Sequence, residues 1–197
     1  ICCIDAALQL TIPPEELAKR TAVVQAGAVQ SPESLLRALT GAGYEYADQV
    51  EGEGQFAHRG GIIDFFAPGM KAPARVEFWG DEIDSASFFD PDTQRRTEPA
   101  DILRLSPSVE AVVDDPAALA ARIMALAGSL RGKTSEKARN VLVQEAAQLK
   151  ECGSLGCIDK YLPMLYQRPA TLLDYVEEDW MVFISEETKV KERARTT

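Results

Sequence analysis

Histidine is nearly absent from this chain: His58 is the only one in 197 residues. It lies in a stretch that reads as a surface strand, so no Ser-His-Asp set can be assembled around it. The four cysteines, Cys2, Cys3, Cys152 and Cys157, show no Cys-X-X-Cys spacing and lie far from that histidine, which makes a poor zinc set; the expectation is buried free thiols. Positive charge is also short. Lys and Arg number 21 against 31 Asp and Glu, a formal net charge of −10. Wrapping a nucleic-acid backbone needs a positive stripe, so a chain built mainly for that task is excluded, although a local basic patch is not. No apolar run is long enough to span a membrane, and no basic, apolar and small-residue signal opens the chain, so the expected location is cytoplasmic. The opening residues, ICCIDAALQL, are apolar and carry no methionine, which reads as a piece of something longer.

What is present is ordinary globular composition, 46% hydrophobic and 26% charged, enough for one sizeable core or two small ones. Residues 51–96 are the stretch densest in pattern. Turns rich in Gly, Pro and Asp separate short runs whose apolar residues recur with period two, the signature of antiparallel strands with one buried face. Strands are expected at Gln55–Arg59, Ile62–Phe66, Ala74–Trp79 and Ile83–Phe89, with a bulge or break at Gly60-Gly61 and a tight turn at Gly80-Asp81. Ile62–Phe66 alternates in a way that suggests cover on both sides. In Ala74–Trp79, alternation sets Ala74, Val76 and Phe78 against Arg75, Glu77 and Trp79. A guanidinium, a carboxylate and a large aromatic on one outer face have the composition of an interface hot spot. Asp90-Pro91-Asp92 then turns the chain and delivers Gln94, Arg95 and Arg96 at its edge.

Before this module, Ile1–Leu10 reads as a strand end or short buried helix, Pro13-Pro14 opens a helical turn, and Thr21–Val29 reads as a strand leaving a preceding domain. Ser31 caps a helix begun by Pro32, with Leu35, Leu36 and Leu39 as its apolar stripe. After Leu105, Asp115 and Pro116 start an alanine-rich helix, and a second helix is expected from about Ser135 to Cys152 with Ala138, Val141, Leu142, Glu145 and Leu149 as its stripe. Trp180–Ile184 is short and apolar enough for a buried strand, followed by acidic residues as at the end of a parallel strand in a nucleotide-binding fold. Gly128–Thr134 resembles a phosphate-binding loop but has three residues between its glycines where four are needed, and it follows a helix instead of a buried strand, so it reads as a helix-to-helix turn. The acid pairs Glu186-Glu187 and Asp81-Glu82 read as solvated turns and not as magnesium ligands.

The run GYEYADQVEGEGQFAHRGGIIDFFAPGMKAPARVEFWGDEIDSASFFDPDTQRR resembles the module that follows the first nucleotide-binding-like segment of the bacterial transcription-repair coupling factors, and it is similar to the counterpart in the excision-repair helicase UvrB. ATLLDYVEEDWMVFISEE resembles a region shared by both, but Ser185-Glu186-Glu187-Thr188 stands where UvrB has its acid box, so the coupling factors are favoured. The resemblance implies an α+β fold: the end of a UvrB-like α/β domain over 1–30, a small antiparallel β-rich module like UvrB domain 2 over 31–104, and a mainly helical α/β UvrB-like segment over 105–197. It implies a non-catalytic fragment without a cofactor, monomeric on its own, that recruits UvrA through Arg59, Arg75 and Trp79, with Glu77 beside them and Arg95 at the rim. RNA polymerase, DNA and an ATP-dependent motor would be the business of other regions of the full-length protein. The alternative is a segment of a UvrB-like ATP-dependent helicase. On this reading the pair Arg75→Ala with Trp79→Ala abolishes binding while the thermal midpoint stays nearly unchanged.

Overall fold

The computed structural model describes residues 1–132 and 135–196. In chain order the elements are α1 (Ile4–Leu8), α2 (Pro14–Arg20), β1 (Ala22–Gln25), α3 (Pro32–Gly41), β2 (Glu45–Tyr46), β3 (Gln55–Arg59), β4 (Ile62–Phe65), β5 (Ala74–Trp79), β6 (Glu82–Phe89), β7 (Arg96–Pro99) and β8 (Ile102–Leu105). There follow α4 (Pro116–Ser129), α5 (Glu136–Cys152), α6 (Leu162–Leu165) and α7 (Glu187–Ala194), with 3-10 turns at Ile158–Tyr161 and Leu172–Tyr175. They form two compact units, Glu15–Val112 and Ile1–Pro14 together with Val113–Thr197. The architecture is α+β: an early mixed β-sheet module, then a mainly helical segment.

The first unit is organised on a six-stranded sheet in the order β2-β3-β4-β5-β6-β7. Every pair is antiparallel except β2 with β3, where the glycine-bearing loop 47–54 returns the chain in the same direction. The hairpin between β5 and β6 closes through Gly80 at φ 60, a left-handed conformation that a two-residue turn demands and that glycine adopts without a Cβ clash. Helix α3 begins as its sequence dictates: the Ser34 amide donates to Ser31 Oγ at 3.2 Å and Pro32 occupies the first turn. Its Leu35 and Leu39 pack with Ile63, Phe65, Val76 and Ile83 on one side of the sheet, while Leu36 is only partly buried. The other side carries a smaller cluster of Val50, Ala57 and Phe89, so β4 is indeed covered on both sides.

Strand β1 differs from its reading as a strand leaving a preceding domain. It pairs antiparallel with β8, from Ala22 opposite Leu105 to Gln25 opposite Ile102, and Val24, Leu103 and Leu105 enter the same core as α3. Local pattern cannot reveal this partner because the whole module intervenes between the two strands.

In the second unit, the Ala118 amide donates to Asp115 Oδ1 at 2.9 Å and starts α4 at the expected place. Leu119, Ala120 and Ile123 of α4 meet Ala146 and Leu149 of α5, with Leu155 and Tyr161 completing the cluster. The buried stripe of α5 is rotated from the expected one: Ala138 and Val141 are exposed, and Ala146 takes their place in the core. Glu145 lies at the edge of that stripe, accepting hydrogen bonds from Lys160 Nζ at 2.5 Å and from the Tyr161 hydroxyl. Burial alone would raise its pKa, but the bonds from Lys160 and Tyr161 outweigh burial and hold it below the ordinary value of 4.5.

Two expectations are corrected in these regions. Trp180–Ile184 is not a buried strand: all five side chains are exposed, and no described residue offers the run a partner backbone, without which an apolar run has no ladder to join. The cysteines are free but not buried; all four are exposed, because they lie at the chain start, at the end of α5 and in the loop after it instead of within a packed face. Of the phosphate-loop-like run, Gly128 belongs to the last turn of α4, while Lys133 and Thr134 lie outside the described residues.

Two outcomes are expected. Gly43 has φ 83, and a Cβ there would come within 2.5 Å of Val109 Cγ2. Gly43→Ala therefore lowers unfolding free energy in denaturant titration by about 2 kcal/mol or more, and Val109→Ala relieves only part of the loss, since the left-handed strain remains. Because the folded-state pKa of Glu145 is depressed, its contribution is present above the unfolded value and disappears as pH falls through the folded one. Thermal unfolding followed through this acid range shows a decline that Glu145→Gln flattens.

Candidate interaction face

Strand register decides which side chains share a surface. Asp64 pairs with Arg75 and Ile62 with Glu77; on the far side of β4, Arg59 pairs with Ile62 and Ala57 with Asp64. Across β5, Arg75 pairs with Ser87, Glu77 with Ser85 and Trp79 with Glu82. The register shift beside Glu77 and Phe78 adds Asp84 to β6, so the alternation of β5 runs unbroken and Arg75, Glu77 and Trp79 do share one face. Arg59 joins them from β3.

At the centre of this face is Asp64, 2% exposed and the only buried charged residue among those described. Its carboxylate is shared by two arginines. Arg75 donates from Nε to Oδ1 at 2.7 Å and from Nη2 to Oδ2 at 2.8 Å, a two-pronged bond, and Arg59 donates from Nη2 to Oδ2 at 3.1 Å. Arg75 also donates from Nη1 to the Gln94 carbonyl at 3.2 Å, and its guanidinium lies 4.7 Å from the centre of the Phe89 ring. The hydrogen bond to Asp64 raises the Arg75 pKa further, against the opposing effect of partial burial. The turn that meets it is itself fixed: the Thr93 amide and hydroxyl donate to Asp90 Oδ1, and Gln94 sits at φ 60 with its Nε2 donating to the Pro91 carbonyl.

The predicted site residues therefore separate by exposure. Arg75 lies on the expected face but its side chain is only 13% exposed, committed to Asp64 and Gln94. Glu77 is largely covered, accepting from the Ser85 hydroxyl at 3.1 Å and ion-paired with Arg96. Arg59 is half-exposed, at 50%, and Trp79 is 83% exposed. Arg95 is exposed but lies beside the Phe89 end of β6, whereas Trp79 lies at the Glu82 end, so the sheet does not bring these two together. His58 Nε2 donates one hydrogen bond, 2.7 Å long, to the Gly60 carbonyl. Among the described residues no group of His, Cys, Asp or Glu could hold a metal ion, and no helix is long and apolar enough to cross a membrane. Asp64 and Gln94 escaped sequence reasoning as organisers of the face. The available signal was an aspartate in the middle of an otherwise apolar β-prone run, where an unpaired carboxylate would be costly.

Residues 23–110 match the family described as the UvrB interaction domain. The transcription-repair-coupling factor of Bacillus subtilis (strain 168) is 32% identical over 195 residues, which cover 95% of this chain and 17% of that protein. The protein of the same description from Escherichia coli (strain K12) is 35% identical over 114 residues, covering 58% of this chain and 10% of that one. From Mycobacterium tuberculosis (strain CDC 1551 / Oshkosh) the figures are 35% over 162 residues, 77% and 12%. The chain thus spans between 10% and 17% of the length of these relatives.

Removing one member of a buried ion pair leaves the other uncompensated. Arg75→Ala removes two of the three hydrogen bonds to the buried Asp64 carboxylate, leaving only the one from half-exposed Arg59, and costs about 3–5 kcal/mol, whereas Arg59→Ala costs about 1 kcal/mol or less. Chemical denaturation of the two variants reads the contrast directly. An unchanged midpoint for Arg75→Ala with Trp79→Ala is therefore no longer expected.

Proposed function

We propose, from the match of residues 23–110 to the UvrB interaction domain family and the alignment of the chain with bacterial transcription-repair coupling factors, that it recruits the excision-repair protein UvrA through the face bearing Arg59 and Trp79. One observation carries the reading: an indole that is 83% exposed stands on the same rigid sheet face as a half-exposed guanidinium. A free tryptophan surface of this kind gains by being covered, and its flat apolar face with one N–H suits a partner pocket that closes around it. Arg59 spends one Nη2 donor on Asp64 and keeps the rest of its fork for a partner carboxylate.

Arg75 supports this use of Arg59. With Arg75 holding both oxygens of Asp64, Arg59 can turn toward a partner without leaving the buried carboxylate unpaired. Arg75 thus acts mainly by positioning, through its small exposed edge and its hold on Asp64, and Glu77 with Arg96 forms a polar border. Arg95, at the other end of β6, is reserved for the rim of a larger footprint.

The chain itself is read as a non-catalytic, cytoplasmic interaction segment. Engagement of stalled RNA polymerase, tracking on DNA and ATP hydrolysis are assigned to other regions of a longer coupling factor, consistent with the small fraction of its relatives that this chain spans.

Titration of purified UvrA with this chain tests the reading. Trp79→Ala and Arg59→Ala each weaken binding by about tenfold or more, the range for central aromatic and arginine anchors, while their thermal midpoints stay close to the parent value. Equal affinity of both variants and the parent would remove this face from the interface.

A further inference from the structure

The sheet face does not end at Trp79. Residues 27–30 run along the side of β6 opposite β5, where the Gly27 amide donates to the Ile83 carbonyl at 2.7 Å, the Ile83 amide to the Ala28 carbonyl at 3.0 Å and the Gln30 amide to the Asp81 carbonyl at 2.8 Å. These bonds bracket an antiparallel bridge between Val29 and Glu82. The bracketing pattern is that of the narrow, non-hydrogen-bonded pair, in which side chains stand closest. Glu82 is paired with Trp79 on its other side. Opposed residues project to the same side of a sheet, so Val29, Glu82 and Trp79 form one transverse row on the face already described.

This row is unusual in what it leaves in solvent. Val29 is 85% exposed and Trp79 is 83% exposed, and the carboxylate between them is exposed without a hydrogen bond or ion pair among the described residues. The segment carrying Val29 is held by three backbone bonds, so the valine is presented at a set position and is not a frayed end. Arg59 lies on the adjacent row, which runs from Arg59 through Ile62 and Glu77 to Ser85.

We infer that Val29 and Glu82 belong to the same docking surface as Trp79, and that UvrA meets this row with a basic side chain opposite Glu82 between two apolar seats. The inference rests on the UvrA reading above and adds to it the chemistry that the partner must supply. Charge complementarity then works with two signs on neighbouring rows: Arg59 takes a carboxylate and Glu82 takes a cation, while Val29 and Trp79 exclude water around the second pair. Opposite charges at fixed spacing make the surface directional, since a partner docked the other way round places like charges together.

The test is titration of UvrA with the Glu82→Lys, Glu82→Gln, Val29→Ala and Val29→Thr variants, at low and raised salt, beside the parent and Trp79→Ala. Glu82→Lys weakens binding by about tenfold or more and loses part of the salt dependence, and Glu82→Gln weakens it less. Val29→Ala weakens binding by about three- to tenfold for the two methyl groups removed. Val29→Thr keeps the β-branched shape and strand preference, so a loss there reports lost apolar contact and not a loosened segment. Full affinity in Glu82→Lys and in both Val29 variants, with Trp79→Ala impaired, overturns this inference and leaves the UvrA reading standing. Loss confined to the Val29 variants overturns the charge assignment. A parent chain that does not bind UvrA overturns both.

Discussion

The buried pair of Asp64 and Arg75 is the constraint on which the interaction face depends. A carboxylate between Ile63 and Phe65 in the middle of a covered strand is tolerable only when both oxygens are bonded, and Arg75 bonds both. Through that one residue the sheet interior is tied to neighbouring β5, to the Phe89 ring below the guanidinium and to the Gln94 turn before β7. The pair thus converts two hairpins and a turn into one fixed surface. Arg59 and Trp79 are displayed by that surface and bear little of its stability.

This division sets the proposed arginine-bearing docking surface on a chain of net charge −10. Its acidity is spread over the molecule, whereas the cations of the face are assembled around a single buried anion. On the proposed reading, recognition there depends on short-range, charge-assisted bonds of fixed geometry, and the overall charge mainly disfavours extended nucleic-acid contact. Glu77 with Arg96, and Glu82 beside Trp79, make the surface mixed in sign instead of simply basic. Mixed sign restricts orientation and partner choice, which a positive patch alone would not do.

Much of the fold was legible because the signals were local. Ser31-Pro32 and Asp115-Pro116 start helices where capping chemistry requires, and the glycine turns at 60–61 and 80–81 delimit hairpins whose period-two pattern is unambiguous. The face shared by Arg75, Glu77 and Trp79 followed from the same periodicity. Their exposure did not, because parity says which side a residue occupies and not what else covers that side; Phe89 and Gln94 cover Arg75 from a later strand and turn. The pairing of β1 with β8 and the bridge at Val29 depend on contacts across the module, so the sequence could show strand preference there but no partner. Trp180–Ile184 failed for the complementary reason: apolar, β-branched and aromatic residues describe suitability for a sheet, but a strand also needs a neighbouring backbone.

Amide hydrogen exchange of this chain with and without UvrA addresses the central claim most directly, since it maps the partner onto the backbone without altering any residue. Slowed exchange is expected at residues 27–30, 59–62 and 79–83, the segments that carry Val29, Arg59 and the Trp79–Glu82 turn. Protection confined to the α4–α5 hairpin or to 180–184, with those three segments unchanged, would contradict it.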